Sequence, residues 1–399
     1  MTQAFSCDCW VLPPEHTAEK KLIWAKNSDR HPGESQVLEF HPARVEKETT
    51  LGGLTIPGAA TLATLGSAPY WGYGYEMGVN SNGVAIGNEA IYTRNSRADS
   101  AAGLTGMELV RLGLERGSTA PEAAEVIVGL VERYGQGASA TPFEPPEHGY
   151  YDNAFLVADP KEALIIEAVG REAKVQAISS SGYSISNFPP LGSRPDWRKG
   201  PTISGAYRSR LTRQALKQPR PLELNQVFAL ARKHGFGHGV CMHPIPGLVP
   251  YQTVASMVAV LPTSSEQILE VWWCAGLPCR GVYLPFFPQT GHLPEIVSRP
   301  GTSGRKSGPA ELALGDQFEA NSYWWLTQKY PETQARNKLE AELLAERPQV
   351  LAEAQSLMQK GRLARVRELL NSFSNRALER ALALYRENSA LNSDYLSKP

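Results

Sequence analysis

Short apolar runs broken by turn residues dominate the first part of the chain. Residues 21–26, 36–40, 59–65 and 83–87 are rich in β-branched and apolar side chains and are separated by Gly, Pro or Asn, which predicts strands. The period then changes. Leu109 and Leu112, and then Val126, Ile127 and Leu130, fall at helical spacing, and each stretch opens on a Thr with a Glu three residues later: Thr105 with Glu108, Thr119 with Glu122. In such a capping box the hydroxyl and the carboxylate satisfy backbone amides that a first helical turn leaves free, so two helices are predicted, the second ending at Gly135. Sheet patterning returns at 154–158 and 163–168, joined by the turn chemistry of Asp159-Pro160-Lys161-Glu162, which predicts a hairpin. Further strand-like runs occupy 174–178, 254–261, 269–273 and 282–286, with a helix near 224–233. Strands, a helical pair and then more strands imply sheets layered between helices.

Residues 300–309 are rich in Gly, Ser and Pro, and beyond Ser322 the chain is dominated by Ala, Leu, Glu and Arg as far as Arg386. A linker over 300–321 and a helical extension over 322–399 are predicted, with Pro348 and Gly361 dividing the extension into three or four helices that could pack on the core or on a second subunit. No internal repeat is evident. The length of 399 residues admits one large or two ordinary domains.

Charge narrows the partners. Lys and Arg number 40, as do Asp and Glu, so no overall field draws the chain to nucleic acid or to an anionic membrane surface. The apolar runs at 253–262 and 282–287 fall short of the roughly 20 residues that a membrane helix needs, so no membrane insertion is expected. Residues 1–6 lack the basic start and apolar stretch of a secretory signal, and a cytoplasmic location is the expectation. Five cysteines, an odd number in a long chain, fit reduced thiols better than a disulfide framework.

Several groups could carry chemistry. Cys7 and Cys9 flank Asp8, and either buried structural thiols or a reactive one would fit that pair. Cys241 and His243, with His234 and His238, match no familiar zinc spacing, so no metal is expected there; Cys274 and Cys279 read as structural thiols. Lys26-Asn27-Ser28-Asp29-Arg30 places five polar residues directly after an apolar strand, either as an ordinary polar turn or as part of a site.

Phe5-Ser6-Cys7-Asp8, then Pro13-Pro14, then Ala25-Lys26-Asn27-Ser28-Asp29-Arg30 resembles the start of the secernins and their bacterial dipeptidase relatives, including the distance from cysteine to the Lys-Asn-Ser-Asp segment. The similarity continues through Glu76-Met77-Gly78, Gly83-Val84-Ala85-Ile86-Gly87-Asn88-Glu89-Ala90, Gly106-Met107-Glu108-Leu109, Phe155-Leu156-Val157-Ala158-Asp159, Gly239-Val240-Cys241-Met242 and Thr253-Val254-Ala255-Ser256-Met257-Val258. These ordered blocks cover most of residues 5–287.

The resemblance implies an N-terminal-nucleophile hydrolase with a four-layer αββα fold, in which residues 1–6 form a propeptide and 7–299 the hydrolase domain. It implies cysteine dipeptidase or related amide hydrolysis of a small peptide or amide, without a cofactor. Cys7 is then the nucleophile. Penicillin V acylase and bile-salt hydrolase belong to the same group; their Arg-Asn-x-Asp segment corresponds to Lys26-Asn27-Ser28-Asp29 here, with Lys in place of Arg. Ser186-Asn187-Phe188-Pro189 is similar to the acylases' Thr-Asn-x-Pro segment, which makes Asn187 an oxyanion donor, with Asn88 as a candidate second donor. Ser209-Arg210-Leu211 is similar to an acylase Ser-Arg-Phe motif, which makes Arg210 a candidate site residue, an ordinary surface arginine being the alternative. The alternatives for function are an acylase of linear amides and a non-catalytic, secernin-like regulator whose helical tail binds partners.

Overall fold

A computed structural model describes residues 6–94, 103–137, 140–141, 150–178, 182–217, 219–235, 239–245, 249, 251–264, 267–298, 323–327 and 334–393. In chain order the strands are β1 (Ser6–Leu12), β2 (Ile23–Arg30), β3 (Gln36–His41), β4 (Arg44–Val45), β5 (Glu48–Leu51), β6 (Leu54–Pro57), β7 (Ala60–Thr61), β8 (Thr64–Pro69), β9 (Met77–Asn80) and β10 (Ala85–Ile91). Helices α1 (Gly106–Arg116) and α2 (Ala120–Tyr134) follow, then β11 (Asp152–Ala158), β12 (Ala163–Val169), β13 (Glu172–Ala177) and β14 (Tyr183–Ser186). After α3 (Gly200–Leu216) and α4 (Leu224–Ala231) come β15 (Gln252–Val260), β16 (Glu270–Ala275), β17 (Leu284–Phe286), and finally α5 (Tyr323–Thr327), α6 (Gln334–Gln359) and α7 (Leu363–Ser393).

Two antiparallel sheets form the body. One has the order β14-β1-β2-β15-β16-β17 and the other β13-β12-β11-β10-β9-β8-β3. They pack face to face, with β1 and β14 against β10 and β11. On the outer faces, α1 and α2 cover the seven-stranded sheet and α3 and α4 cover the other. The fold is therefore the four-layer αββα sandwich. Side chains that alternate inward along each strand fill the space between the sheets. Two of them are tryptophans whose buried indole N–H reaches an acceptor on the facing sheet: Trp24 Nε1 donates to Leu156 O at 3.2 Å and Trp273 Nε1 to Ser67 Oγ at 3.2 Å.

Most of the predicted elements form. The Asp159 turn joins β11 and β12 as a hairpin, its carboxylate accepting from the backbone of Lys161 and Glu162. Thr105 and Glu108 make both bonds of the capping box, whereas Glu122 turns to Ser118 N and leaves Thr119 with the hydroxyl half alone. Three differences have physical causes. Residues 6–12, for which the sequence pattern predicts no strand, form the buried strand β1 between β14 and β2. The polar stretch Lys26–Arg30 is the end of β2, where tertiary pairing with β1 and β15 overrides its turn-like composition. Helix α3 carries too many polar residues for a clear apolar stripe, and the sequence does not announce it.

The helical extension packs on the core. Helices α6 and α7 pair with each other, α7 lies on β17, and Phe373 meets Phe287 with ring centroids 6.3 Å apart. Arg347 holds Glu270 through Nε at 2.6 Å, and Tyr385 accepts from Val282 N at 3.1 Å. Pro348 does not divide the extension: it sits inside α6, which continues because Val350 and Ala354 beyond it are buried in the core. The break comes at Gly361, with a φ of 69°. The predicted linker at 300–321 lies outside the described residues. Among the described residues, no helix is long and apolar enough to cross a membrane.

Candidate active site

Strand alternation sorts the residues around Cys7. Cys7 and Cys9 share one face of β1, toward β10, while Asp8 between them faces α3. On β2, Lys26 reaches inward to Glu76 and Asn88, and Asn27 turns to the helix side, donating to Ala231 O and Val240 O, both at 2.8 Å. The register pairs Ser6 with Asp29 and Cys7 with Ser28. Cys7 is thus set at the end of a paired strand rather than on a free terminus.

Cys7 is 3 % exposed. Its sulfur accepts from Asp29 N at 3.4 Å, and its carbonyl accepts from Ser186 Oγ at 2.9 Å. Its backbone nitrogen donates to Asn187 Oδ1 at 2.7 Å. That oxygen also accepts from Arg208 Nη2 at 2.7 Å, and Asn187 Nδ2 donates to Ala90 O at 2.7 Å. Helix α3 comes this close because residue 205 is glycine: a Cβ there would stand 2.8 Å from the Asn187 backbone.

Arg208, fully buried, gathers the cluster. Its Nη1 lies 2.5 Å from Asp8 Oδ2 and 3.3 Å from Asp29 Oδ2, and its Nη2 also donates to Ser6 Oγ. Asp29 completes its contacts by accepting from Thr253 Oγ1 at 2.6 Å. Burial disfavours the charged form of every group here, and the partners decide what is left. Burial pushes the Cys7 thiol well above its ordinary value, against the field of Lys26. It pushes Asp29 up likewise, against Arg208. Asp8 rises to about 6 from 3.8, burial again outweighing Arg208. Burial lowers Lys26, but Glu76 and the neighbouring acids outweigh it, and the ammonium is held above its ordinary value.

An upward shift at Asp8 means that the folded chain keeps this proton at a pH where the unfolded chain has lost it. Its contribution to stability is therefore fully present below about pH 3.8 and lost as the pH rises through about 6. Asp8→Asn cannot titrate, so its stability relative to the unaltered chain should rise between pH 4 and pH 7, by up to roughly 3 kcal/mol. Urea unfolding of both proteins at the two pH values measures this, and a constant difference would contradict it.

The structure brings Cys7, Lys26, Asp29, Asn88 and Asn187 into one buried region. Asn88 supports Lys26: its Oδ1 and its carbonyl both accept from Nζ, and its Nδ2 donates to Asn153 Oδ1 at 3.0 Å. In the unprocessed chain Asn187 Oδ1, rather than the Asp29 carboxylate, takes the Cys7 N–H. With the Ser6–Cys7 peptide bond in place that nitrogen carries a single hydrogen, and Asn187 takes it.

Arg210 is a correction. It is exposed on α3, and the buried arginine is Arg208. Two residues along a helix turn the side chain by about 200°, so both cannot face Asp8. Thr202, Gly205, Arg208, Thr212 and Leu216 repeat at helical spacing on the buried face, which is the signal that selects Arg208. Sequence reasoning also missed Thr253, and Glu76, which ties Lys26 Nζ at 3.0 Å and Arg30 Nη1 at 3.2 Å. Glu89 on β10 is a further buried acid beside Cys9, pushed up by burial against Lys26.

No family model matches the chain. Similar solved structures include a conjugated bile acid hydrolase from Clostridium perfringens, 11% identical over 70% of this chain and 92% of that one with a TM-score of 0.46. Penicillin V acylase from Agrobacterium tumefaciens is 13% identical over 70% of this chain and 86% of its own, with a TM-score of 0.45. An N-acylethanolamine-hydrolyzing acid amidase ortholog from Caenorhabditis elegans is 15% identical over 65% and 96%, with a TM-score of 0.38.

Proposed function

We propose that this chain is an amide hydrolase of the secernin and dipeptidase kind, acting through Cys7 after removal of residues 1–6. The observation that carries the reading is the cage around one backbone nitrogen. Cys7 N meets Asn187 Oδ1, which is itself fixed by Arg208, while Asp29, paired across the strands with Ser6, donates its backbone N–H to Cys7 Sγ. A main-chain nitrogen in a strand needs no such surroundings, but an α-amine that must hold and pass protons does.

Processing begins when Cys7 Sγ attacks the Ser6 carbonyl carbon, so that the Ser6 acyl group moves from nitrogen to sulfur as a thioester. Water hydrolyses the thioester, releasing Met1–Ser6 as a carboxylic acid and leaving Cys7 with a free amine. Ser6 is buried and hydrogen-bonded to Arg208, so its departure opens the space that a substrate acyl group then fills. In turnover the amine takes the thiol proton, and the thiolate attacks the substrate amide carbon. The amine returns its proton to the leaving nitrogen as the C–N bond breaks, and a water, deprotonated by the same amine, hydrolyses the thioester. Lys26 favours the thiolate through its field, opposing the burial that raises the Cys7 thiol. Asn187 carries two N–H groups, one of which is engaged by Ala90 O, and the other is the donor assigned to the oxyanion. Such a donor contributes about 2.7–4 kcal/mol in other enzymes.

The dipeptide preference rests on the sequence resemblance. A panel of dipeptides beside linear N-acyl amides separates the two hydrolase readings, since the proposal requires turnover of the dipeptides. The nucleophile is tested by brief labelling with a small electrophile at neutral pH, followed by peptide mapping. Cys7 of the processed protein should label at least about tenfold faster than Cys9 or Cys274, which are likewise buried and have no amine of their own to take the thiol proton. Cys9 on the same strand face is the internal control, and label on Cys9 with none on Cys7 would remove the assignment.

A further inference from the structure

Four side chains converge on one point away from Cys7. His234 follows α4, Cys241 and His243 lie on the segment leading to β15, and Cys279 is in the connection from β16 to β17. One donor atom from each lies within 4.8 Å of the other three. His243 Nε2 stands 3.2 Å from His234 Nε2, 3.3 Å from Cys279 Sγ and 3.7 Å from Cys241 Sγ. A neutral imidazole nitrogen has either one proton or one lone pair, so hydrogen bonding cannot satisfy three such neighbours at once. A cation at their centre can. Zinc bonds of about 2.3 Å to sulfur and 2.0–2.1 Å to nitrogen give a tetrahedron with edges of roughly 3.3–3.8 Å, and these three separations lie close to that range.

We propose that His234, Cys241, His243 and Cys279 bind one zinc ion in a closed tetrahedral site. Binding joins zinc to the two sulfurs and two imidazole nitrogens and releases the two thiol protons to solvent. All four corners are protein ligands, so the ion has no open position for chemistry and its part is structural. The surroundings fit that part. Arg232 Nε donates to Pro278 O at 2.8 Å and Arg336 Nη1 donates to Cys279 O, fixing the turn that carries one thiolate. Cys241 N donates to Lys233 O at 3.1 Å, which brings His234 to the cluster. Gly239 is needed for that approach, because a Cβ there would stand 2.6 Å from Lys233 O. A surface groove of about 820 Å³ reaches His234 and Cys279 and gives the metal a way in.

The ion would also brace the Cys7 region. Met242, between two of the ligands, exchanges hydrogen bonds with Thr253, and Thr253 Oγ1 donates to Asp29 Oδ1 at 2.6 Å. His238, counted with this group in the sequence, lies outside the described residues.

Elemental analysis tests the site on the full chain, produced in zinc-supplemented medium, purified without a metal-affinity column and dialysed. The unaltered protein should hold about one zinc per chain, and both the Cys241→Ser/Cys279→Ser double variant and His234→Ala less than about a tenth of that. His234 is exposed, so its alanine variant should keep the fold, checked by circular dichroism. Cobalt(II) supplied instead of zinc should give the unaltered protein a thiolate-to-metal charge-transfer band that the double variant lacks. A wild-type chain that neither carries zinc nor takes it up, full zinc retention by either variant, or a Cys241–Cys279 disulfide in a zinc-free wild type would each overturn the proposal.

Discussion

Cys7→Ala should leave Met1–Ser6 attached and abolish turnover, a loss on the order of 10⁴- to 10⁶-fold of the kind seen when a catalytic nucleophile is removed. Alanine has no sulfur to attack the Ser6 carbonyl, so the amine is never released, and no acyl-enzyme can form even if the amine is supplied by construction. The fold should survive. Cys7 is held through backbone pairing to β2 and through its N–H and C=O, none of which the substitution touches. Cys9→Ala gives the contrast: it removes a fully buried thiol from the core between the sheets, which should cost stability while processing and turnover continue. Intact mass and an amide-hydrolysis assay read both variants, and a processed, active Cys7→Ala protein would remove Cys7 from the mechanism.

The second large effect belongs to Arg208. Arg208→Met keeps much of the side-chain volume but leaves Asp8 and Asp29 buried without their cation, a change that typically costs about 3–5 kcal/mol. Processing should slow as well, because Asn187 loses the donor that fixes its Oδ1 against Cys7 N. Arg208→Lys should recover only part of both, since a point charge cannot span Asp8, Ser6 and Asn187 as the guanidinium fork does. Arg210→Ala, on the exposed side of the same helix, should stay within about 0.5 kcal/mol of the unaltered protein. Urea unfolding and the rate of propeptide loss measure the series. Equal effects at the two arginines would contradict the assigned cluster.

How far these residues could be read from the sequence depended on whether their signal was local. The Thr105–Glu108 cap and the Asp159 turn satisfy backbone groups within a few positions, and both formed as their residues imply. Lys26-Asn27-Ser28-Asp29 was visible as an unusual polar run, but its meaning came from strand pairing with β1 and β15, which no local rule supplies. Arg210 carries the short motif match, whereas Arg208 is singled out only by its place on the buried face of α3. Pro348 looked like a break because a proline in a helix interior costs about 3 kcal/mol, yet the core contacts on both sides of it hold α6 together. The Cys/His group was illegible for a related reason. Three ligands come from one stretch and the fourth, Cys279, from the far side of β15 and β16, so no fixed spacing exists to be matched.

Intact mass of the purified wild-type protein tests the central claim most directly. If Cys7 is an N-terminal nucleophile, the active chain begins at Cys7, lighter than the full sequence by residues 1–6, and Cys7→Ala keeps the full mass. A wild-type chain that begins at Met1 and hydrolyses amides at full rate would contradict the account.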